Sequence, residues 1–179
     1  LKKIVFILLI LFTLLSADDF QDYFFNLSGK IDNTLLVDKN RQKLYVIAEN
    51  SDRELEIIDE FRVTTGRVIG DKEEEGDLKT PEGIYTVVRK LDDDKLPEKY
   101  GPLAYVLNYP NEVDRIFNRN GSNIWIHGRN EDIKDYQTEG CVSLENSHIL
   151  DLAKYLSLNR TKIIILDSLQ NNGHYSIEY

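Results

Sequence analysis

The chain has 179 residues, 41% of them hydrophobic and 30% charged, which is the composition of a folded globular protein and excludes disorder. Its formal net charge is −9, with no dense Lys/Arg block, so neither nucleic acid nor an anionic lipid surface is expected as a partner. The single cysteine rules out a disulfide within the chain.

Lys2 and Lys3 precede an apolar run from Ile4 to Leu15, and Leu15-Ser16-Ala17 then supplies small residues before Asp18. The run is short for a transmembrane helix of about 20 residues. It reads as a secretory signal over residues 1–17, with an uncleaved anchor as the alternative. No stable membrane span is expected after cleavage. Export changes the meaning of the lone Cys141: exported domains use cysteines in pairs, so an unpaired thiol there points to chemistry. Packing as a small buried hydrophobe is the competing explanation.

Residues 18–33 place Phe20, Tyr23, Phe24 and Leu27 at helical spacing, which predicts a short amphipathic lead-in helix. Strand patterns follow. Leu35–Val37 and Leu44–Ile47 flank a polar turn and predict a hairpin, and Asn50–Asp52 predicts a second turn before a strand through Val63. The acidic run Asp71–Asp77 lacks the spacing of a calcium loop and reads as a solvated loop. Thr80-Pro81-Glu82-Gly83 is a rigid turn opening the strand Ile84–Val88.

A charged loop from Arg89 to Pro102 leads to the strand Leu103–Leu107, and an irregular excursion runs from Asn108 to Ser122. Loops of this length are candidate cleft walls. Further on, a helix is predicted near 146–156 with Asn146 as N-cap, then a last strand Lys162–Leu166. The fold class is therefore mainly β. No repeat or linker marks a second domain.

Between those elements lie Ile124-Trp125-Ile126-His127-Gly128 and Thr138-Glu139-Gly140-Cys141-Val142-Ser143-Leu144. The first reads as a buried strand with a histidine at its end. A thiol attacks as thiolate, and with a reference pKa of about 8.5 it needs a neighbouring base, cation or donors at neutral pH. His127 is the candidate base for Cys141. Gly128 lets the chain turn away from the ring, and Gly140 exposes N–H groups for a developing oxyanion. His148 reads as a surface or cap-proximal residue of the predicted helix and His174 as part of a polar tail. Neither a zinc signature nor a Gly-x-Ser-x-Gly elbow is present, and no metal or cofactor is expected.

The His-Gly and Gly-Cys-Val-Ser-Leu segments, with Gly66, the Gly76–Tyr85 stretch containing Thr80-Pro81-Glu82-Gly83, and Asn108-Tyr109-Pro110-Asn111, resemble the L,D-transpeptidase (YkuD-type) catalytic domain from about Leu35 to Leu166. The resemblance implies an L,D-transpeptidase-like β-sandwich with one or two short helices. It would occupy 34–167, between the lead-in and a C-terminal tail at 168–179. It implies a bacterial envelope or periplasmic enzyme acting on peptidoglycan stem peptides. Cys141 would be nucleophile, His127 general base and Gly140 part of the oxyanion region, with Trp125 and Gly128 shaping the cleft.

Acylation of the cysteine would release terminal D-alanine, and an amine would accept the acyl group. One position departs from the family pattern. Cross-linking members carry Arg two places after the cysteine, where this chain has Ser143. That substitution resembles the trimming branch, carboxypeptidases or amidases that use water. Arg129 is the candidate replacement cation for a substrate carboxylate, or else a solvent-facing arginine. A non-catalytic peptidoglycan-binding module is the remaining alternative.

Overall fold

The structure, a computed structural model, describes residues 33–52, 54–92, 96–171 and 175–177. The predicted signal, almost all of the lead-in helix, and His174 lie outside the described residues.

Strands β1 (Thr34–Asp38) and β2 (Lys43–Glu49) form the expected hairpin, and β3 (Leu55–Arg62) pairs back on β2 across a bulge at Val46/Ile47. The first turn is built by polar side chains. Asp38 is fully buried and accepts the Arg41 N–H at 2.9 Å, and the Gln42 amide donates to the Lys39 carbonyl and to Thr65. Four more strands follow: β4 (Gly83–Asp92), β5 (Leu103–Leu107), β6 (Trp125–Arg129) and β7 (Val142–Glu145). β8 (Lys162–Leu166) then returns to the middle of the sheet, giving the order β3-β2-β1-β8-β4-β5-β6-β7. β9 (Leu169–Asn171) and β10 (Tyr175–Ile177) form a separate hairpin.

Among the described strands, only β1–β8 and β6–β7 pair in parallel. Buried on both faces, β8 is apolar over Ile163–Leu166, as a central strand requires. Leu35, Val37, Tyr85, Val87, Ile126, Val142 and Leu144 fill one face, and Leu36, Ile164 and Leu166 form a smaller cluster. The sheet curls until its ends meet. Just past β3, Thr64 exchanges two backbone hydrogen bonds of 2.9 Å with Ser143 of β7.

Three sequence expectations need correction. The excursion after β5 contains a short helix, α1 (Glu112–Ile116), started by a capping box in which Asn111 and Asp114 satisfy each other's backbone N–H groups. The next helix, α2 (Asn146–Leu152), gives way to a 3-10 turn at Ala153–Tyr155; Glu145 occupies its N-cap, and the Asn146 side chain binds Asn130 instead. The 71–77 loop is only partly solvated. Lys72 is buried in it, bonded to the Asp77 carboxylate at 2.7 Å and the Glu74 carbonyl at 2.8 Å.

Candidate active site

Strand alternation sorts β6 into two roles. Ile126 points into the core, and Gly128 lies beneath α2, where an added Cβ would meet Ile149 Cγ2 at 2.9 Å. Trp125, His127 and Arg129 take the other face. In β7 the core residues are Val142 and Leu144, so Ser143 shares the histidine's face, and Cys141, two residues earlier, is in phase with it. His127 stands in register between Ala104 of β5 and Ser143 of β7.

Two details differ from expectation. His127 is not the strand end, because Gly128 and Arg129 continue pairing with Leu144 and Glu145. Gly128 therefore makes no turn; it is glycine because α2 leaves no room for a side chain.

The imidazole is 6% exposed, with Nδ1 2.7 Å from the Gly128 carbonyl oxygen and 3.5 Å from Ser143 Oγ. A carbonyl only accepts, so Nδ1 carries the proton and Nε2 keeps its lone pair. Burial, aided by the positive charges of Arg129 and Lys99, lowers the His127 pKa to about 4, against the pull of the Gly128 carbonyl. Tyr100 places its ring edge-on to the imidazole, centroids 4.9 Å apart.

Cys141 is half-buried, and its thiol donates to the Asn123 carbonyl at 3.5 Å. Burial, with Glu139 adding to it, pushes the thiol up to about 11 despite a backbone hydrogen bond at Trp125 and the charges of Lys99 and Lys72. Both groups are thus neutral near pH 7, a thiol and an imidazole rather than a thiolate and an imidazolium. A reaction at Sγ would therefore need the thiol to lose its proton as it proceeds.

The cysteine loop is held by polar contacts. Thr138 Oγ1 donates to the Cys141 carbonyl at 2.6 Å and accepts the Gly140 N–H at 3.1 Å. Thr138 also bonds through its backbone to Thr65 and Arg67, and Thr64 Oγ1 accepts the Gln137 N–H at 2.9 Å. Gly140 has φ 132°, and a Cβ there would lie 2.8 Å from the Lys79 carbonyl. Glycine is required on both counts. The loop carrying Lys79 is itself anchored by buried Lys39, whose Nζ reaches Glu82 at 2.6 Å, Gly70 O at 2.7 Å and Thr80 O at 3.2 Å.

Of the other predicted residues, Trp125 is half-buried against Tyr100 at 4.9 Å, with its Nε1 lacking a hydrogen-bond partner. The Arg129 side chain is 13% exposed, not solvent-facing, and pairs with Glu131 at 2.6 Å. An open cleft of about 400 Å³ beside it is lined by Leu96, Glu98, Gly101, Pro102, Asn130 and Asn146. His148 lies in the first turn of α2, cap-proximal as one of its two expected readings had it, half-buried and edge-on to Phe61 at 5.7 Å. Sequence reasoning missed Tyr100, Asn123, Thr64 and Thr138. Tyr100-Gly101-Pro102 carried a turn signal, but nothing in it named the histidine as the target.

Comparison with known proteins gives a consistent answer. Residues 32–165 match the family described as YkuD, L,D-transpeptidase catalytic domain. Bd1075 of Bdellovibrio bacteriovorus has 34% identity and a TM-score of 0.68, covering 82% of this chain and 52% of its own. The helical cell shape determining protein Pgp2 of Campylobacter jejuni has 26% identity and a TM-score of 0.68, covering 87% and 57%. The protein named "Putative L,D-transpeptidase YafK" from Escherichia coli strain K12 is 29% identical over 89 residues, 50% of this chain and 32% of its own. The chain thus spans about half the length of the solved relatives and a third of YafK.

Proposed function

The chain belongs to the family of L,D-transpeptidase catalytic domains, and on that footing we propose that Cys141 is acylated by a peptidoglycan stem peptide in the bacterial envelope. The observation that carries the reading is the Gly128-anchored His127 in register with Ser143, on the face that Cys141 shares. Cys141 Sγ attacks the carbonyl carbon of the third stem residue while its proton passes to His127 Nε2. The C–N bond then breaks, the proton passes to the leaving amine, and D-alanine departs from a thioester. The Cys141 N–H meets the developing oxyanion at the Gly140 turn, the Gly140 N–H being held by Thr138. Trp125 lines the peptide's path. Arg129 exchanges Glu131, a partner 82% exposed and so loosely held, for a substrate carboxylate.

An amine of a neighbouring stem then attacks the thioester. The second reading, hydrolysis by water, is favoured by Ser143, a buried neutral hydroxyl where cross-linking members carry Arg. Pgp2 is a helical cell shape determining protein, and a role in shaping the wall is proposed here on that likeness.

The test is incubation of the protein with tetrapeptide muropeptides, with and without an added amine, followed by mass analysis. Loss of D-alanine with adducts or dimers supports transfer; loss without them supports the hydrolytic reading. A Cys141→Ala variant that changes the muropeptides as the wild type does would defeat both, and a wild type that binds muropeptides but leaves them unchanged would point to a binding module.

A further inference from the structure

The turn between β4 and β5 contributes more to the site than a wall. Pro97 begins a 3-10 turn, Glu98–Tyr100, closed by hydrogen bonds from Tyr100 N to Pro97 O at 2.9 Å and from Gly101 N to Glu98 O at 3.0 Å. Gly101 follows with φ 65° and lies flat against β6. A Cβ on it would come within 2.8 Å of the Gly128 carbonyl carbon and 2.9 Å of Gly128 Cα. Two glycines in backbone contact leave the turn no slack, and Tyr100 is the residue next to that contact.

The Tyr100 ring touches two site residues at once. Its centroid is 4.9 Å from the His127 ring at 85° and 4.9 Å from the Trp125 ring at 56°. Lys99 Nζ lies over the same ring, 4.8 Å from its centroid. β5 offers only Ala104 opposite the histidine, too small to restrain it. On the β7 side the hydroxyl of Ser143 is 3.5 Å away, at the limit of a hydrogen bond.

We propose that Tyr100 is a positioning residue for His127: its ring fixes the imidazole in one rotamer, keeps water from it, and ties it to Trp125. The anchor at Gly128 sets one edge of the imidazole, but a single hydrogen bond leaves the ring free to tilt about that contact. An edge-on aromatic removes the tilt. The groups that bear on the histidine are the Gly128 carbonyl and Arg129 on its own strand, Lys99 and the Tyr100 ring on the turn, and the Ser143 hydroxyl on β7; α2 presents Asn146 and Ile149 to the adjoining Gly128. The two cations act by charge and Tyr100 acts by cover, and this difference makes the proposal testable.

The inference rests on His127 serving as the base, but its test is independent of turnover. His127 is titrated by imidazole ¹⁵N NMR in the full chain for wild type, Tyr100→Phe, Tyr100→Ala and Lys99→Gln. Tyr100→Phe, which keeps the ring, should retain the wild-type midpoint. Tyr100→Ala should raise it by about one pH unit or more as water reaches the imidazole, with kcat lowered more than KM is altered. Lys99→Gln should raise it less. A wild-type midpoint in folded Tyr100→Ala, or a rise in Lys99→Gln as large as that in Tyr100→Ala, overturns the proposal. Should Tyr100→Ala not fold by circular dichroism, the wild type decides: a cross-relaxation peak between the two rings supports the contact and its absence overturns it. If the titrations behave as stated but muropeptides are untouched, the proposed function fails while the Tyr100-held imidazole stands.

Discussion

His127 Nδ1 sits 2.7 Å from the carbonyl oxygen of Gly128, its own successor in β6. A strand carbonyl normally serves the ladder, so this contact ties the imidazole to its own strand, β6. It fixes the tautomer without a buried carboxylate. The imidazole therefore gains no negative neighbour to favour its charged form, and burial lowers its pKa unopposed by any acid.

Thiol reactivity follows from that neutral pair. With the thiol near 11 and the imidazole near 4, alkylation of Cys141 by iodoacetamide should rise roughly tenfold per pH unit from 6 to 10. A thiolate–imidazolium pair would instead give a plateau across neutrality. The rate of alkylation against pH, followed by mass, separates the two.

Acid stability is the second consequence. A His127 pKa near 4 in the fold, against about 6.5 unfolded, means the unfolded chain binds more protons between those values. Stability is therefore full above pH 6.5 and declines as pH falls toward 4, by up to about 3 kcal/mol from this group. Below that window Asp77 takes over. Burial works against its charge, but Lys72 and three backbone N–H groups hold it at about 2, so its contribution is lost as pH falls from about 4 through 2. Urea midpoints for wild type and His127→Gln at pH 7 and pH 4.5 should show a smaller acid loss in the variant.

Gly140→Ala and Gly128→Ala should both damage the protein, by different routes. Gly140 combines φ 132° with a 2.8 Å approach to Lys79 O, so alanine distorts the cysteine turn itself. A cost of about 2–4 kcal/mol and near-complete loss of acylation are expected. In Gly128→Ala the new methyl meets Ile149 and Asn146, so α2 has to shift. Thermal midpoints should fall in both, and thiol alkylation at fixed pH should change more in Gly140→Ala.

Thr138→Val removes the hydroxyl that bridges the Gly140 N–H and the Cys141 carbonyl. Leaving those groups without their partner should cost about 1–3 kcal/mol. The acylation rate should fall while the His127 titration stays where it is, because Thr138 does not touch the imidazole. Stopped-flow acylation together with NMR titration checks both halves.

Local pattern carried much of this protein. Short apolar runs located β1, β2, β5 and β8, and the Ile-His-Gly and Gly-Cys segments marked His127 and Cys141 as the candidate residues. Turn residues marked Thr80–Gly83. The helix α1 was also legible, since Asn111 and Asp114 stand at capping-box spacing, but the long excursion around them concealed it. These features depend on residues within a few positions of one another, where propensity and spacing decide the outcome.

Contacts between distant residues were decided by the fold alone. Nothing local says that β8 lies between β1 and β4, that Thr64 closes the sheet on Ser143, or that Tyr100 meets His127. Nor could the sequence show that the thiol rests protonated, because a pKa follows from how much water the packed neighbours exclude and which charges remain near. Strand order is chosen by the joint burial of apolar faces from strands tens of residues apart, and the environment of Cys141 and His127 exists only once that burial is complete.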